Sequence, residues 1–151
     1  PASDMAFMIV GGDKVYRKNN FFFTGKIPFS QIIDYYSVCD AFILPRPKHI
    51  ATEIASPTKF SEYCSLGKPV LVTDVGDAGC LVRKYECGFV VKDNQPPTLR
   101  NGLLALKSAS KEERIQMGIN ARKLAVEEFD WKKVITPLLA ELDSMKQRNK
   151  T

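Results

Sequence analysis

Short apolar runs along this chain alternate with longer segments of helical periodicity. The apolar runs predict strands at 5–12, 21–25, 41–44, 69–73 and 87–91. The first run, which ends in glycine, is typical of a strand buried on both faces. Helical spacing predicts helices from about 30 to 38, from 57 to 66, within 76–86, and near 98–108, 111–128 and 131–147. The alternation predicts an α/β fold with a Rossmann-like parallel sheet flanked by helices, in which ligands bind where the strands end.

Local signals mark the ends of several helices. Ser56 followed by Pro57 predicts a cap and a first helical position, and Gly67 suits the position just after the same helix. Ser110 with Glu113 has the spacing of a capping box. The polar segment 46–55 is predicted to be a loop, with the single histidine, at position 49, as an ordinary loop residue.

The composition is typical of a globular domain, and the net charge favours partners of negative charge. The 151 residues, 44% hydrophobic and 26% charged, are enough for one domain, predicted as 1–151. No apolar run approaches the roughly 20 residues of a membrane span. The formal charge of +5 favours anionic partners such as phosphorylated ligands, nucleic acid or an acidic membrane face. The four cysteines form no C-x-x-C pair, so free thiols are expected rather than zinc or disulfides.

The most informative chemistry lies at the predicted start of the helix after Pro57. A helix start offers backbone N–H groups and the positive end of the helix dipole to an anion. Lys59 adds a cation there, and Glu62, three residues on, projects from the same face. A phosphate at the helix start and a ribose diol on the carboxylate would suit a nucleotide. The same two residues could equally form a surface ion pair beside a plain cap.

The order of motifs resembles the C-terminal half of the GT-B glycosyltransferases, in particular the retaining, sugar-nucleotide-dependent family 4. The resemblance covers nearly the whole chain. It rests on the following motifs, in order: Val10-Gly11-Gly12, Phe21-x-Phe23-x-Gly25-x-Ile27, Tyr35-Tyr36, Cys39-Asp40-Ala41, Leu44-Pro45, Pro57-x-Lys59-x-x-Glu62-Tyr63, Gly67-Lys68-Pro69-Val70, Thr73-Asp74-Val75-Gly76, Gly88-Phe89-Val90-Val91 and Phe129-Asp130-Trp131.

The resemblance implies a donor site for a nucleotide-diphospho-sugar. The backbone N–H groups of Thr58 and Lys59 and the side chains of Arg46 and Lys59 would hold the diphosphate, with Lys59 and Arg46 stabilising the charge that develops on it. Ser56, just before this helix, is a further expected donor-binding residue. Glu62 would accept both ribose hydroxyls. Two further residues, Gly25 and Ile27, would line the base. No metal or other cofactor is expected.

One departure from the family concerns its pair of glutamates, E-x7-E. Glu62 matches the second glutamate, whereas the first falls on Ile54, and Glu53 is the neighbouring substitute, implied to contact the donor sugar. The longer pattern from Pro45 to Glu62 resembles a branch associated with polysaccharide and cell-surface glycan assembly.

The resemblance also implies parts that this chain does not contain. The N-terminal acceptor domain and the first strand of the C-terminal domain would precede Pro1, so the chain by itself is expected to be inactive. The expected partners are a nucleotide-sugar donor, the enzyme's own N-terminal domain and a glycan or lipid-linked acceptor, but no nucleic acid. Cytoplasmic residence is expected, with peripheral contact at the inner membrane face through the absent part. A sugar-nucleotide epimerase of the same architecture and a non-catalytic Rossmann-like interaction module are the alternatives.

Overall fold

The structure, a computed structural model, describes residues 4–148 and divides into two compact units, one ending at Cys39 and one beginning at Asp40. The first unit contains β1 (Phe7–Ile9), β2 (Gly11–Lys18), β3 (Phe21–Gly25), a 3-10 turn (Phe29–Gln31) and α1 (Ile32–Ser37). The second contains β4 (Phe42–Leu44), α2 (Ile50–Ile54), α3 (Thr58–Ser65), β5 (Val70–Thr73), α4 (Asp77–Tyr85), β6 (Gly88–Val91), α5 (Pro96–Ser108), α6 (Lys111–Glu128) and α7 (Trp131–Arg148).

The sheet of the first unit is mixed. Its order is β1-β3-β2, with β1 parallel and β2 antiparallel to β3. The prediction of one strand buried on both faces over 5–12 is wrong, since Met8 and Ile9 are exposed and the glycines open a separate strand. Pairing of Lys18 with Phe21 closes a two-residue hairpin, and Asn19 takes the positive φ (53°) that such turns require.

The second unit confirms the predicted α/β architecture. Its sheet has the order β4-β5-β6 and is parallel throughout. All four residues of the central strand β5 are buried, as expected for an apolar run covered on both faces. Helices α4 and α5 pack against strand β6 of this sheet, and helix α3 packs against helix α6.

A pair of glycines allows a close approach between α6 and the turn after α3. A Cβ on Gly118 of α6 would come within 2.3 Å of the carbonyl oxygen of Gly67. Gly67, at φ +65°, follows the end of α3 as predicted. The turn after α3 therefore lies directly against α6.

Most predicted helices are confirmed, and three details are wrong. Ser110 and Glu113 form the expected capping box on α6. Ser30, near which the first helix was predicted to begin, lies inside the 3-10 turn, and α1 begins at Ile32. The predicted loop 46–55 contains α2. Helix α3 begins at Thr58 with Pro57 as its N-cap, so the predicted cap at Ser56 is wrong. Pro57 is extended (ψ 116°), which moves the helix start one residue along the chain.

Candidate functional site

The candidate site lies where the parallel strands of the second sheet end. The loop after β4 carries Arg46, and the loop after β5 begins at Asp74. Thr73 Oγ1 donates a 2.8 Å hydrogen bond to the carbonyl oxygen of Arg46, which ties the two loops together. Arg46 Nη1 donates to the carbonyl oxygen of Ala55 at 3.0 Å. The Arg46 guanidinium is thereby held beside the residues that lead into α3.

Helix α2 is a short helix that sequence reasoning missed. Its N-cap is His49, whose Nδ1 accepts a hydrogen bond from the Ala51 N–H at 3.2 Å. In return the His49 N–H donates to Thr52 Oγ1 at 3.0 Å. Histidine is not among the usual capping residues, so the reciprocal pattern was hidden in the sequence. The histidine thus caps α2 and is not an ordinary loop residue.

Glu53 on α2 contacts the backbone of the neighbouring loop. Its Oε2 accepts a 2.8 Å hydrogen bond from the N–H of Gly76, the N-cap residue of α4. Gly76 has φ 59° and ψ −153°, a conformation essentially restricted to glycine. A Cβ there would lie 3.0 Å from the Glu53 carbonyl oxygen. The carboxylate therefore joins α2 to the start of α4, and its predicted contact with a donor sugar stays a prediction.

The start of α3 is open to an anion from the loop side. Among the described residues no side chain caps this helix, and its first turn contains no acidic residue. Ser56 and Thr58 are exposed on either side of Pro57. Backbone N–H groups in the first turn of a helix have no partner within it and attract negative charge.

Lys59 and Glu62 are brought together one turn into α3. Lys59 Nζ lies 2.8 Å from Glu62 Oε2, and the two side chains remain 45% and 33% exposed. The surface ion pair that the spacing allowed is thus present. Glu62 also lines a shallow depression of about 370 Å³ shared with Arg122 and Trp131. Glu62 therefore borders open space that a ligand could enter, and Lys59 is partly exposed beside it.

A further charged pair borders the loop after β5. Arg83 donates two hydrogen bonds to the Asp74 carboxylate, Nη1 to Oδ1 at 2.9 Å and Nη2 to Oδ2 at 2.6 Å. These bonds, with a contribution from the charge of Lys48, hold the pKa of Asp74 below its ordinary value, and they raise the pKa of Arg83. This pair could not be predicted from the sequence, because nothing in a separation of nine residues signals a contact.

Two predicted base-lining residues belong to the first unit. Gly25 ends β3, is buried, and has a positive φ (66°). Ile27 lies two residues further on and is partly exposed. Their role toward a base remains a prediction.

Other predicted features concern cysteines, metals and membranes. All four cysteines are free thiols, as predicted. Within residues 4–148 there is no cluster of three or more side chains suited to a metal ion. Over the same part of the chain, no helix has both the length and the apolar character needed to cross a bilayer.

Comparison with known proteins shows similarity to glycosyl transferases. The family model described as "Glycosyl transferases group 1" matches residues 13–124. An uncharacterized glycosyltransferase of Methanocaldococcus jannaschii is 27% identical over 120 residues, which are 80% of this chain and 29% of that protein. The chain thus spans less than a third of the length of this relative.

Solved structures show the same fold. A sucrose-phosphate synthase from Thermosynechococcus elongatus superposes with a TM-score of 0.75 at 18% identity, covering 93% of this chain and 38% of that one. The Anabaena protein HepE in complex with UDP superposes with a TM-score of 0.64 at 22% identity, covering 83% of this chain and 33% of that one. WaaG, a glycosyltransferase involved in lipopolysaccharide biosynthesis, superposes with a TM-score of 0.61 at 23% identity, covering 82% of this chain and 34% of that one. The predicted α/β fold is therefore the one shared with GT-B glycosyltransferases.

Proposed function

Because this chain belongs to the group 1 glycosyl transferases, we propose that it forms the donor-binding part of a sugar-transferring enzyme. The donor would be a nucleotide-diphospho-sugar and the acceptor a glycan or lipid-linked sugar. The observation that carries the proposal is the uncapped start of α3, with Arg46 beside it and Lys59 and Glu62 on its first two turns. This arrangement lies at the end of a parallel sheet where such folds bind ligands.

The proposed roles follow from charge and position. The N–H groups at Thr58 and Lys59 and the dipole of α3 would hold the diphosphate. Arg46 and Lys59 would stabilise the negative charge that grows on the diphosphate as the glycosidic bond breaks. Ser56 would contribute a contact at the entrance to this helix. Donor binding without a metal remains part of the proposal.

The Lys59–Glu62 ion pair can be replaced by contacts with a donor. In the absence of donor, each charge is neutralised by the other at 2.8 Å. A diphosphate would draw the ammonium away, and the freed carboxylate would accept two hydrogen bonds from the ribose hydroxyls. Because the pair is partly exposed, breaking it costs at most about 1 kcal/mol. The pair is therefore compatible with donor binding.

Finer features of the proposal come from the resemblance. These are membership of family 4, a retaining outcome, Gly25 and Ile27 at the base, and Glu53 near the sugar. The Anabaena protein has been solved with UDP and with UDP-glucose, which supports a uridine nucleotide as the first donor to test. A role in polysaccharide assembly is proposed on the same grounds.

The rest of the enzyme is also part of the proposal. This chain spans 29% of its curated relative, and we propose that an acceptor domain completes the cleft. Helix α7 exposes an apolar face that suits contact with such a domain. Its exposed apolar residues are Trp131, Val134, Leu138, Leu139, Leu142 and Met145. A cytoplasmic location is proposed for the whole enzyme.

Calorimetric titration tests the donor site directly. The intact protein would be titrated with UDP, GDP and ADP and then with their sugar conjugates. We expect selective binding of one diphosphate, followed by sugar transfer when that conjugate and an acceptor are supplied. Failure of the intact protein to bind any of them would refute the donor role. Release of an epimerised nucleotide-sugar without transfer would instead indicate an epimerase.

A further inference from the structure

A groove lies near the amino ends of the strands of the second sheet and shares Arg122 with the depression lined by Glu62. It has a volume of about 670 Å³ and runs between the turn that precedes β5 and the outer face of α6. The turn contributes Lys68 and Pro69, and α6 contributes residues from Lys111 to Arg122. At 1.5 Å per residue this stretch of helix is about 18 Å long. No role proposed above uses this groove.

The groove is strongly cationic. Lys68, Lys111, Arg114 and Arg122 line it, against the single carboxylate of Asp40. Within the described part of the chain, neither lysine takes part in an ion pair or side-chain hydrogen bond. Among the described residues, the charges of these two lysines are therefore not neutralised by an ion pair.

The two arginines are oriented by the backbone. One N–H of Arg114 donates to the Ala109 carbonyl oxygen, and Arg122 Nη1 donates to the Ser65 carbonyl oxygen at 2.7 Å. A guanidinium has five N–H donors, so each arginine keeps others for a ligand. The close approach of Gly67 to Gly118 places Lys68 beside these arginines.

Two isoleucines stand between the cations. Ile115 and Ile119 line the same groove, one helical turn apart, and are 54% and 58% exposed. Covering these two side chains with apolar groups would be favourable, and cations on either side of them suit a surface that is anionic as well as apolar beneath.

From this combination we infer that the groove is a docking surface for an anionic phospholipid bilayer. The lysines and arginines would contact headgroup phosphates, and the isoleucines would enter the boundary of the acyl chains. A soluble phosphate would satisfy the cations and leave the isoleucines in water, so the bilayer accounts for both features. This inference does not depend on sugar transfer.

Vesicle cosedimentation of the intact protein tests it. The probes are vesicles of phosphatidylcholine alone and vesicles with one third phosphatidylglycerol, at 0.1 M salt. We expect binding only to the anionic vesicles, with weaker binding at higher salt. Because each cation near an anionic surface contributes about a fivefold effect, Lys68→Glu with Lys111→Glu should weaken binding at least thirtyfold.

Two further variants distinguish binding through the groove from a general effect of the protein's net charge. Lys14→Glu with Arg100→Glu makes the same change in net charge outside the groove and should alter binding less than threefold. Ile115→Ser with Ile119→Ser keeps the charge and should weaken binding about tenfold or more. Both isoleucines are exposed, so circular dichroism should show unchanged folding.

The remaining outcomes overturn the inference. It is wrong if anionic vesicles do not bind, which would leave an acidic protein as the candidate partner. It is also wrong if the two charge-reversed pairs lose binding equally. Competition by millimolar inorganic phosphate at constant ionic strength would show that the groove takes a free phosphate instead.

Discussion

A substitution in the Lys59–Glu62 pair distinguishes a role in donor binding from a role in the stability of the fold. The substitution Glu62→Gln keeps the size of the side chain and removes its charge. If Glu62 binds the ribose of a donor, this change should weaken donor binding strongly while leaving the fold nearly as stable as before. If the residue serves only as a surface ion-pair partner, both effects should be small.

The structure sets the two magnitudes. The charged atoms are 2.8 Å apart, with side chains 45% and 33% exposed. Partly exposed pairs of this kind contribute about 0.2–1 kcal/mol, so the free energy of unfolding should fall by less than about 1 kcal/mol. Hydrogen bonds to a charged group contribute about 1.5–3 kcal/mol. Donor affinity should therefore fall by about tenfold to a hundredfold.

A second ion pair of similar geometry provides the control. Lys84 Nζ lies 2.7 Å from Glu128 Oε1, with side chains 63% and 32% exposed. The pair joins α4 to α6 and has no part in the proposed donor site. The variant Glu128→Gln should change stability by a comparably small amount and leave donor affinity within about twofold of the parent.

The assays are calorimetric titration of the intact protein with UDP or the preferred diphosphate, and urea denaturation of the same samples. Two results would refute the reasoning. One is near-parental affinity in Glu62→Gln. The other is a loss of affinity in both variants alike, which would mean that removal of any ion pair has the same effect.

Three other substitutions test neighbouring parts of the site. In the full-length enzyme Lys59→Ala should lower turnover at least tenfold because charge on the departing diphosphate loses a cation; steady-state kinetics near the parent would contradict this role. Gly76→Ala should destabilise the fold by about 1–3 kcal/mol in urea denaturation, because φ 59° with ψ −153° excludes a side chain; an unchanged midpoint would show that the loop rearranges freely. Arg83 lowers the pKa of Asp74, so the contribution of this pair to stability is present above the ordinary value of 3.8 and is lost as pH falls through the lower folded value. Asp74→Asn should accordingly be less stable than the parent at pH 7, and the difference should shrink below pH 3.8; a difference that stays constant down to pH 2 would show that charge is not its cause.

The sequence by itself determined the parallel sheet of the second unit and the helices that cover it. The apolar run at β5 and the capping box of Ser110 and Glu113 are local signals, and each depends on residues a few positions apart. Such signals act within one element, so they can be read along the chain. The start of α3 was also predicted to within one residue, with Pro57 and not Ser56 as its N-cap, whereas its role as an anion site stays a prediction.

Only the tertiary structure decided which groups meet across elements. The bond from Gly76 to Glu53 spans 23 residues, and the Asp74–Arg83 pair joins a loop to a helix. His49 as a cap was hidden because the residue type is unusual there. The basic groove likewise exists because Gly67 and Gly118 let the turn before β5 approach α6. These contacts depend on how the chain returns to the same sheet, and no local pattern in the sequence records that path.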